Sequence, residues 1–293
     1  MNVFISYNSR ATIFLIYFFL VFNCINVLCN DEQKAKDLLN QMMVKNKEIK
    51  SLEYSAYMHE RINGKFIDKN SFFKINISPQ EIYLKQTFIG ITVEGLYIEG
   101  LNNNQLLISS IGFPWLRINL DPRGSRVRKD HHHTIFDLGF DYFTEIIDTI
   151  LKKYNSNLST MLSYEGLVSF NNHECHKITI QNDFFHYNRY TVKSSENLTT
   201  IANKFYVNDY MILEKNPEIS NYTDVKPGQL IWVPSDYAQK LVLYLDADML
   251  LPLLIEIYDE KGLYATYAYI NLVINPTYKW NEFSPTFKEY HFR

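Results

Sequence analysis

The hydrophobic and polar positions fall into distinct patterns along the chain. Between residues 31 and 50, Leu38, Leu39, Met42, Met43 and Ile49 recur among Lys and Glu residues, which predicts an amphipathic helix. Short β-favouring runs follow at 54–61, 72–77, 82–88, 93–99, 105–109 and 115–120, separated by Asn-Gly, Ser-Pro and Asn-rich turns. Regular spacing of this kind predicts an antiparallel meander curved into a half-barrel or barrel. A helix is expected from about Thr134 to Tyr154, where Ile135, Phe136, Leu138, Phe140, Phe143, Ile146, Ile147, Ile150 and Leu151 make a broad apolar face. Such a face must be buried, and the concave side of the meander is the available surface. A hairpin at 164–170 and 174–181 turns on Asn171-Asn172. After an interruption, strands return at 241–245, 253–258 and 264–274, the last two joined by Asp259-Glu260-Lys261-Gly262.

The interruption, 190–234, has its own pattern. A β-favouring run at 189–192 leads to Ser194, Ser195, Glu196 and Asn197, residues that cap helices and make turns. Leu198, Ile201, Ala202 and Phe205 then form one helical stripe. Asn208 is placed to cap a second short helix carrying Met211, Ile212 and Leu213, which Asn216-Pro217 stops. Lys226-Pro227-Gly228-Gln229 supplies turn chemistry before a second strand ending at Val233-Pro234. The unit reads β-α-α-β, inserted between strands, so its ends at Arg189 and Ser235 are expected to meet at one edge of the sheet. This order, with Tyr190-Thr191-Val192, Ile201-Ala202, Asn216-Pro217 and Pro227-Gly228-Gln229 in register, resembles a LysM module. The resemblance implies binding of N-acetylglucosamine glycans such as peptidoglycan, between a first loop, Ser194, Ser195, Glu196, Asn197 and Leu198, and a second, Asn216, Pro217, Glu218 and Ile219. The usual Gly-Asp-Thr of the first loop is Ser195-Glu196-Asn197 here, and a common Gly between the helices is Tyr206.

The closing strands, with Tyr244-Leu245-Asp246, Leu251-Pro252-Leu253, Ile255-Glu256-Ile257-Tyr258, Gly262, Tyr267 and Ile274-Asn275-Pro276, resemble periplasmic lipoprotein carriers of the LolA/LolB type. Together with Asp121-Pro122-Arg123-Gly124-Ser125, His132-His133-Thr134 and Gly139-Phe140, they also resemble an uncharacterised bacterial envelope family, a domain of unknown function. The carrier resemblance implies an open half-barrel that holds a lipid or a lipidated protein by its acyl chains. The expected fold class is therefore α+β: an antiparallel half-barrel-like sheet with a long helix on its concave side, formed by 30–189 and 235–293, plus the inserted module at 190–234. The 22 Tyr and 20 Phe leave a second outcome open, a concavity filled by rings.

Composition and charge narrow the function. Arg10, the uncharged stretch 11–22 and Val27-Leu28-Cys29 read as a secretory signal over 1–29, cleaved after Cys29, which implies export across the inner membrane to the periplasm or the outer membrane. Cys24 and Cys29 are alternative lipid acceptors, although Asn23 and Leu28 fit the small-residue pattern before such a cysteine poorly. Cleavage leaves 28 basic against 32 acidic side chains, a net charge of −4, which does not argue for a nucleic-acid partner. It also leaves Cys175 alone, without a disulfide partner. The densest polar cluster is Arg126, Arg128, Lys129, Asp130 and His131 to His133, ahead of the expected helix. It has three readings: a solvated basic loop, an anion or lipid-headgroup site at Arg126, Arg128, Lys129, His132 and His133, or a metal site. Adjacent histidines in one loop cannot all face one ion, and neither a metal nor another cofactor is expected. Strand alternation separates His173 and Cys175 from Glu174 and His176, and Asp246 and Asp248 share a turn. No nucleophile elbow or phosphate loop is present. The expected protein is non-catalytic; the alternative is a cell-wall-modifying enzyme with a His-based site, targeted by the LysM-like module.

Overall fold

The computed structural model describes residues 31–88, 90–113 and 115–292. The expected secretory segment, with Arg10, Cys24 and Cys29, lies outside the described residues. A first helix, α1, spans 31–46 and buries Ala35, Leu38, Leu39 and Met42 along one face. The meander follows as β1 (Ser51–Ile62), β2 (Lys65–Asn76), β3 (Glu81–Phe88), β4 (Ile91–Ile98), β5 (Leu106–Ile111) and β6 (Arg117–Leu120). Helices α2 (Asp141–Lys153) and α3 (Leu158–Met161) lead to β7 (Leu162–Phe170) and β8 (His173–Gln181). The inserted module contributes β9 (Tyr187–Thr191), α4 (Leu198–Phe205), α5 (Asp209–Lys215) and β10 (Leu230–Pro234). The chain returns through β11 (Lys240–Asp246), β12 (Pro252–Asp259) and β13 (Gly262–Ile274).

Eleven strands form one open sheet in the order β6-β5-β4-β3-β2-β1-β13-β12-β11-β8-β7, so the last strand closes onto the first. Every pair is antiparallel; most are joined by short turns, whereas β8 meets β11 across the inserted module and β1 meets β13 from the two ends of the described fold. Asn171 and Asn172, at φ 48° and 66°, make the left-handed pair that a two-residue hairpin between β7 and β8 requires. Alternation along β1 turns Tyr54, Ala56, Met58 and Glu60 to the concave side, where α1 and α2 lie. Leu39, Met42, Phe143, Ile146, Ile147 and Ile150 meet Ile178, Ile180, Ile255 and Ile257 in one buried cluster. This is the expected α+β half-barrel with its helices on the concave face.

The long helix begins later than its apolar periodicity predicts. Thr134 and Asp137 form a capping box, but over a single 3-10 turn, Ile135–Asp137. Leu138 is extended, and Gly139 at φ +85° redirects the chain, so α2 starts only at Asp141. A residue without Cβ takes that backbone angle at little cost, while the side chains on either side keep pointing inward.

In the inserted module, Asn197 accepts from the Thr200 amide (2.9 Å) to cap α4, and Asn208 from the Met211 amide (3.1 Å) to cap α5. Tyr206 occupies the left-handed position, φ 53°, that closes α4. Leu198, Ile201 and Ala202 are buried as their spacing predicts; Phe205 instead lies at the surface against the Tyr190 ring. The ends of the module meet three residues earlier than expected. Arg189 faces Trp232, and it is His186 whose carbonyl receives the Ser235 amide (2.8 Å).

The convex face has a cover the strand pattern does not announce. Residues 276–292 run back across β2 to β5, where Phe283, Phe287, Tyr290 and Phe292 bury Tyr83 and Leu96. Lys74 pairs with Glu282, and the buried Glu94 accepts from the His291 amide (2.6 Å).

Candidate functional site

The loop between β6 and α2 crosses the concave face without filling it. Between this loop and strands β1 to β5 and β13 lies a cavity of about 500 Å³, in the range of small-molecule sites. Tyr54, Ala56, Met58, Phe73, Leu84, Val93, Leu106 and Ile108 form its sheet wall, and Val127, Ile135 and Leu138 its loop wall. Aliphatic side chains, with Phe140, Phe143 and Tyr237 at the start of the helix, fill the concavity beneath α2, and this half stays open. Ser71, on the sheet wall, is buried with a hydroxyl that has no hydrogen-bond partner among the described residues.

One end of the cavity is charged and internally satisfied. Glu60 accepts from Lys69 (2.6 Å), the Tyr267 hydroxyl (2.7 Å) and the His132 amide (3.1 Å). Lys69 also donates to the Asp130 carbonyl and lies 3.2 Å from His131 Nδ1. Burial opposes the charge on Glu60, but the His132 ring, the Lys69 ammonium and the His131 ring overcome it, holding the carboxyl well below the usual range. Burial pushes His131 and His132 down to about 4. At the rim, Arg126 and Lys129 are exposed and have no ion pair or hydrogen bond among the described residues.

The five residues of the expected anion site therefore separate. Arg126, Lys129 and His133 line the cavity, and His133 Nε2 lies 3.0 Å from the Tyr237 hydroxyl. Arg128 and His132 turn the other way, into the inserted module. Arg128 donates to Asp209 (2.6 Å) and Thr199 (3.2 Å) and lies over the Tyr222 ring (3.3 Å). His132 stacks between Tyr264 (4.0 Å) and Tyr210 (4.8 Å), with Nε2 donating to the Arg61 carbonyl (2.9 Å). Its Nδ1 is buried without a hydrogen-bond partner among the described residues, 3.9 Å from Glu60 Oε1. Neighbouring loop residues thus serve opposite surfaces, the reason a contiguous motif does not make a contiguous site. For the same reason the three histidines do not converge, and among the described residues no group of three His, Cys, Asp or Glu is placed to hold a metal. Cys175 is buried, which pushes its thiol up to about 11, and Asp246 caps its own turn through the Asp248 and Met249 amides.

The buried His132 and the half-buried His131 make stability depend on pH. Folded, His131 and His132 stay neutral down to about pH 4, whereas in the unfolded chain they take up protons near pH 6.5. Between those values the unfolded chain binds more protons, so stability falls as pH drops from 6.5 toward 4. Glu60, with its lowered folded value, adds to the fall only below about pH 4.3, its unfolded value. Melting temperatures between pH 7.5 and 4.5 should show a decline that His132→Phe makes shallower; an unchanged slope would mean that His132 is protonated in the fold.

In the inserted module the first expected glycan loop is tied to the stretch just after the second, where the Leu198 amide donates to the Tyr222 carbonyl (2.9 Å). Ser194, Ser195, Pro217 and Glu218 are exposed, and Leu198, Asn216 and Ile219 are buried beneath them. Asn216 fixes the second loop by donating to the Ile212 and Trp232 carbonyls (2.7 and 2.8 Å) and accepting from the Trp232 amide (2.7 Å). Glu196 fixes the first, accepting from the Tyr190 hydroxyl (2.8 Å) and the Lys193 amide (2.9 Å), and Asn197 is taken up by capping α4.

The model of a family described as a protein of unknown function, DUF1571, matches residues 49–196. The LysM domain model matches residues 190–234. Among solved structures, the chain is similar to LprF from Mycobacterium bovis, at 9% identity over 86% of this chain and 98% of that one, with a TM-score of 0.40. It is also similar to the lipoprotein LppX from Mycobacterium tuberculosis (10% identity, 83% and 98% covered, TM-score 0.36) and to a LolA superfamily protein from Nitrosomonas europaea (8%, 82% and 94%, TM-score 0.23). No curated protein matches.

Proposed function

We propose, for a chain that belongs to the DUF1571 family and carries a LysM domain within the same fold, a non-catalytic role in the cell envelope. In this reading the LysM domain binds an N-acetylglucosamine glycan such as peptidoglycan, between Ser194-Ser195 and Pro217-Glu218. The half-barrel holds the acyl part of a lipid or lipidated protein. Export to the periplasm or to the outer membrane belongs to the same proposal.

The observation that carries this reading is the apolar cavity with unpaired cations at its rim. Its walls offer an acyl chain burial worth about 0.8 kcal/mol per methylene. Arg126 and Lys129 have no ion pair among the described residues, and an anionic headgroup placed between them would gain charge-assisted hydrogen bonds. The Glu60 and Lys69 pair, by contrast, neutralises itself inside the wall.

The test is native mass spectrometry with lipid extraction on protein purified from its own envelope, alongside co-sedimentation with purified peptidoglycan. Co-purifying anionic acyl lipid is expected, with occupancy falling about tenfold or more in Ser71→Phe, which fills the cavity, provided that variant melts normally. Sedimentation with the wall should be lost in Ser194→Trp, which obstructs the exposed loops. A cavity that accepts no acyl ligand would overturn the carrier reading, and undiminished sedimentation of Ser194→Trp would move glycan binding elsewhere.

A further inference from the structure

We propose that the two hairpin tips beside the cavity mouth seat the protein on an anionic lipid bilayer. Between β5 and β6, Phe113 is 84% exposed and Trp115 80%, with Leu116 beside them also exposed. The neighbouring hairpin, β3 to β4, places exposed Ile91 next to this group, because Thr92 pairs with Ile111. Phe113 and Trp115 touch each other edge to face (5.8 Å) and meet no other ring among the described residues. Single exposed apolar residues are ordinary; a contiguous set at one end of a sheet marks an interaction surface.

Two features choose the occupant. The patch is continuous with the cavity, since Ile91 belongs to both, so an acyl chain leaving a membrane under these tips would meet apolar surface all the way in. Exposed cations also flank it. Between Gly112 and His131 the chain carries Arg117, Arg123, Arg126, Arg128 and Lys129 against Asp121 and Asp130, in a protein with a net charge of −3. Of these, Arg128 is buried in the LysM contact and Arg123 lies over the Phe136 ring, while Arg117, Arg126 and Lys129 have no ion pair among the described residues. Protruding Trp and Phe side chains flanked by free Arg and Lys match a bilayer interface, where rings settle at headgroup depth and cations meet lipid phosphates. A protein partner would need a pocket to receive the tips, whereas a bilayer receives them wherever they land.

This inference rests on the lipid reading of the cavity for its purpose, and the test separates the two. Full-length protein is sedimented with vesicles of phosphatidylglycerol and phosphatidylethanolamine, and binding of a monomeric lysophospholipid is measured apart from any membrane. Wild type should bind the vesicles, more weakly in high salt, and Phe113→Ser/Trp115→Ser should lose at least tenfold in vesicle affinity while keeping its monomer affinity. In a Trp232→Phe/Trp280→Phe background, the fluorescence of Trp115 should shift to the blue on vesicle binding. Sedimentation of the double serine variant at the wild-type level, or no vesicle binding by wild type at low salt, overturns the proposal. Vesicle binding without monomer uptake would leave membrane seating in place and sink the lipid reading of the cavity.

Discussion

Lys69→Met should destabilise the protein by about 3–5 kcal/mol, the cost of stranding a buried charge. Lys69 and Glu60 are both 1% exposed, so water cannot replace the lost ammonium. The Tyr267 hydroxyl and the His132 amide would remain on the carboxylate, but neither carries a full charge. For a chain of this size the loss corresponds to a fall in melting temperature of roughly 6–20 °C. Two companion results identify the cause. Glu60→Gln/Lys69→Met should recover most of the stability, because no charge is left buried. The single variant's deficit should shrink on acidification from pH 7 toward 5: without Lys69, a proton can enter the buried site, on Glu60 or on the His131 and His132 rings whose pKa Lys69 helps to lower, so the folded state is relieved of its unpaired charge as pH falls. A deficit below about 1 kcal/mol would mean that solvent reaches Glu60. The loop is exposed to the same change, since Lys69 also holds the Asp130 carbonyl; loosened exchange protection over 126–131 should accompany the loss.

That pair shows what the sequence could and could not convey. Turn chemistry was legible because it acts locally: Asn171-Asn172, the caps Asn197 and Asn208, and Gly262 each impose a backbone geometry without outside help. The strand runs were legible for the same reason, through alternation. Glu60 and Lys69 stand at inward positions of their strands, in step with Tyr54, Ala56 and Met58 on one and Ser71, Phe73 and Ile75 on the other. A charge on the apolar parity of each of two adjacent strands was the available signal of a buried pair. The cavity was not legible, since it depends on the path of the loop before α2, and Gly139 breaks the periodicity expected to make that stretch helical. Nor was the division of Arg126 to His133 between two surfaces, because an irregular loop has no fixed side-chain period. The cover formed by 276–292 escaped for a related reason: Phe283, Phe287 and Tyr290 stand at a helical i, i+4, i+7 spacing, yet the segment folds as a series of turns, so the period does not tell how they are buried.

The same loop joins the two halves of the molecule, and Arg128→Met should part them. The guanidinium is 1% exposed as a side chain and Asp209 10%, so removing it leaves a largely buried carboxylate, which should weaken docking of the LysM domain by about 3–5 kcal/mol. Other contacts remain: Arg61 lies 3.6 Å from Glu214 in a largely buried pair that it shares with the nearer Asp259, the Tyr264 hydroxyl donates to Asn208 (3.1 Å), and His132 stacks on Tyr210. Lys215 to Glu260 (2.8 Å) and Lys261 to Glu214 (3.4 Å) are partly exposed, and such pairs contribute roughly 0–1 kcal/mol each; the Tyr210 hydroxyl accepts one hydrogen bond from the Asn63 amide (2.9 Å). The LysM domain itself should stay folded, since Leu198, Ile201, Met211, Ile212, Ile231 and Val233 are buried within it. Hydrogen exchange should therefore speed up at Asn63 and along the loop 126–133, while amides protected by the domain's own helices hold. Arg128→Met/Asp209→Leu should restore docking without restoring the charges, which a simple loss of packing around Arg128 would not predict. Because Arg126, Lys129, His131 and His133 line the cavity from the same segment, undocking should also lower acyl-lipid occupancy, and the double variant should bring it back. Occupancy unchanged in Arg128→Met, with docking demonstrably lost, would show that the loop keeps its cavity face without the LysM domain behind it.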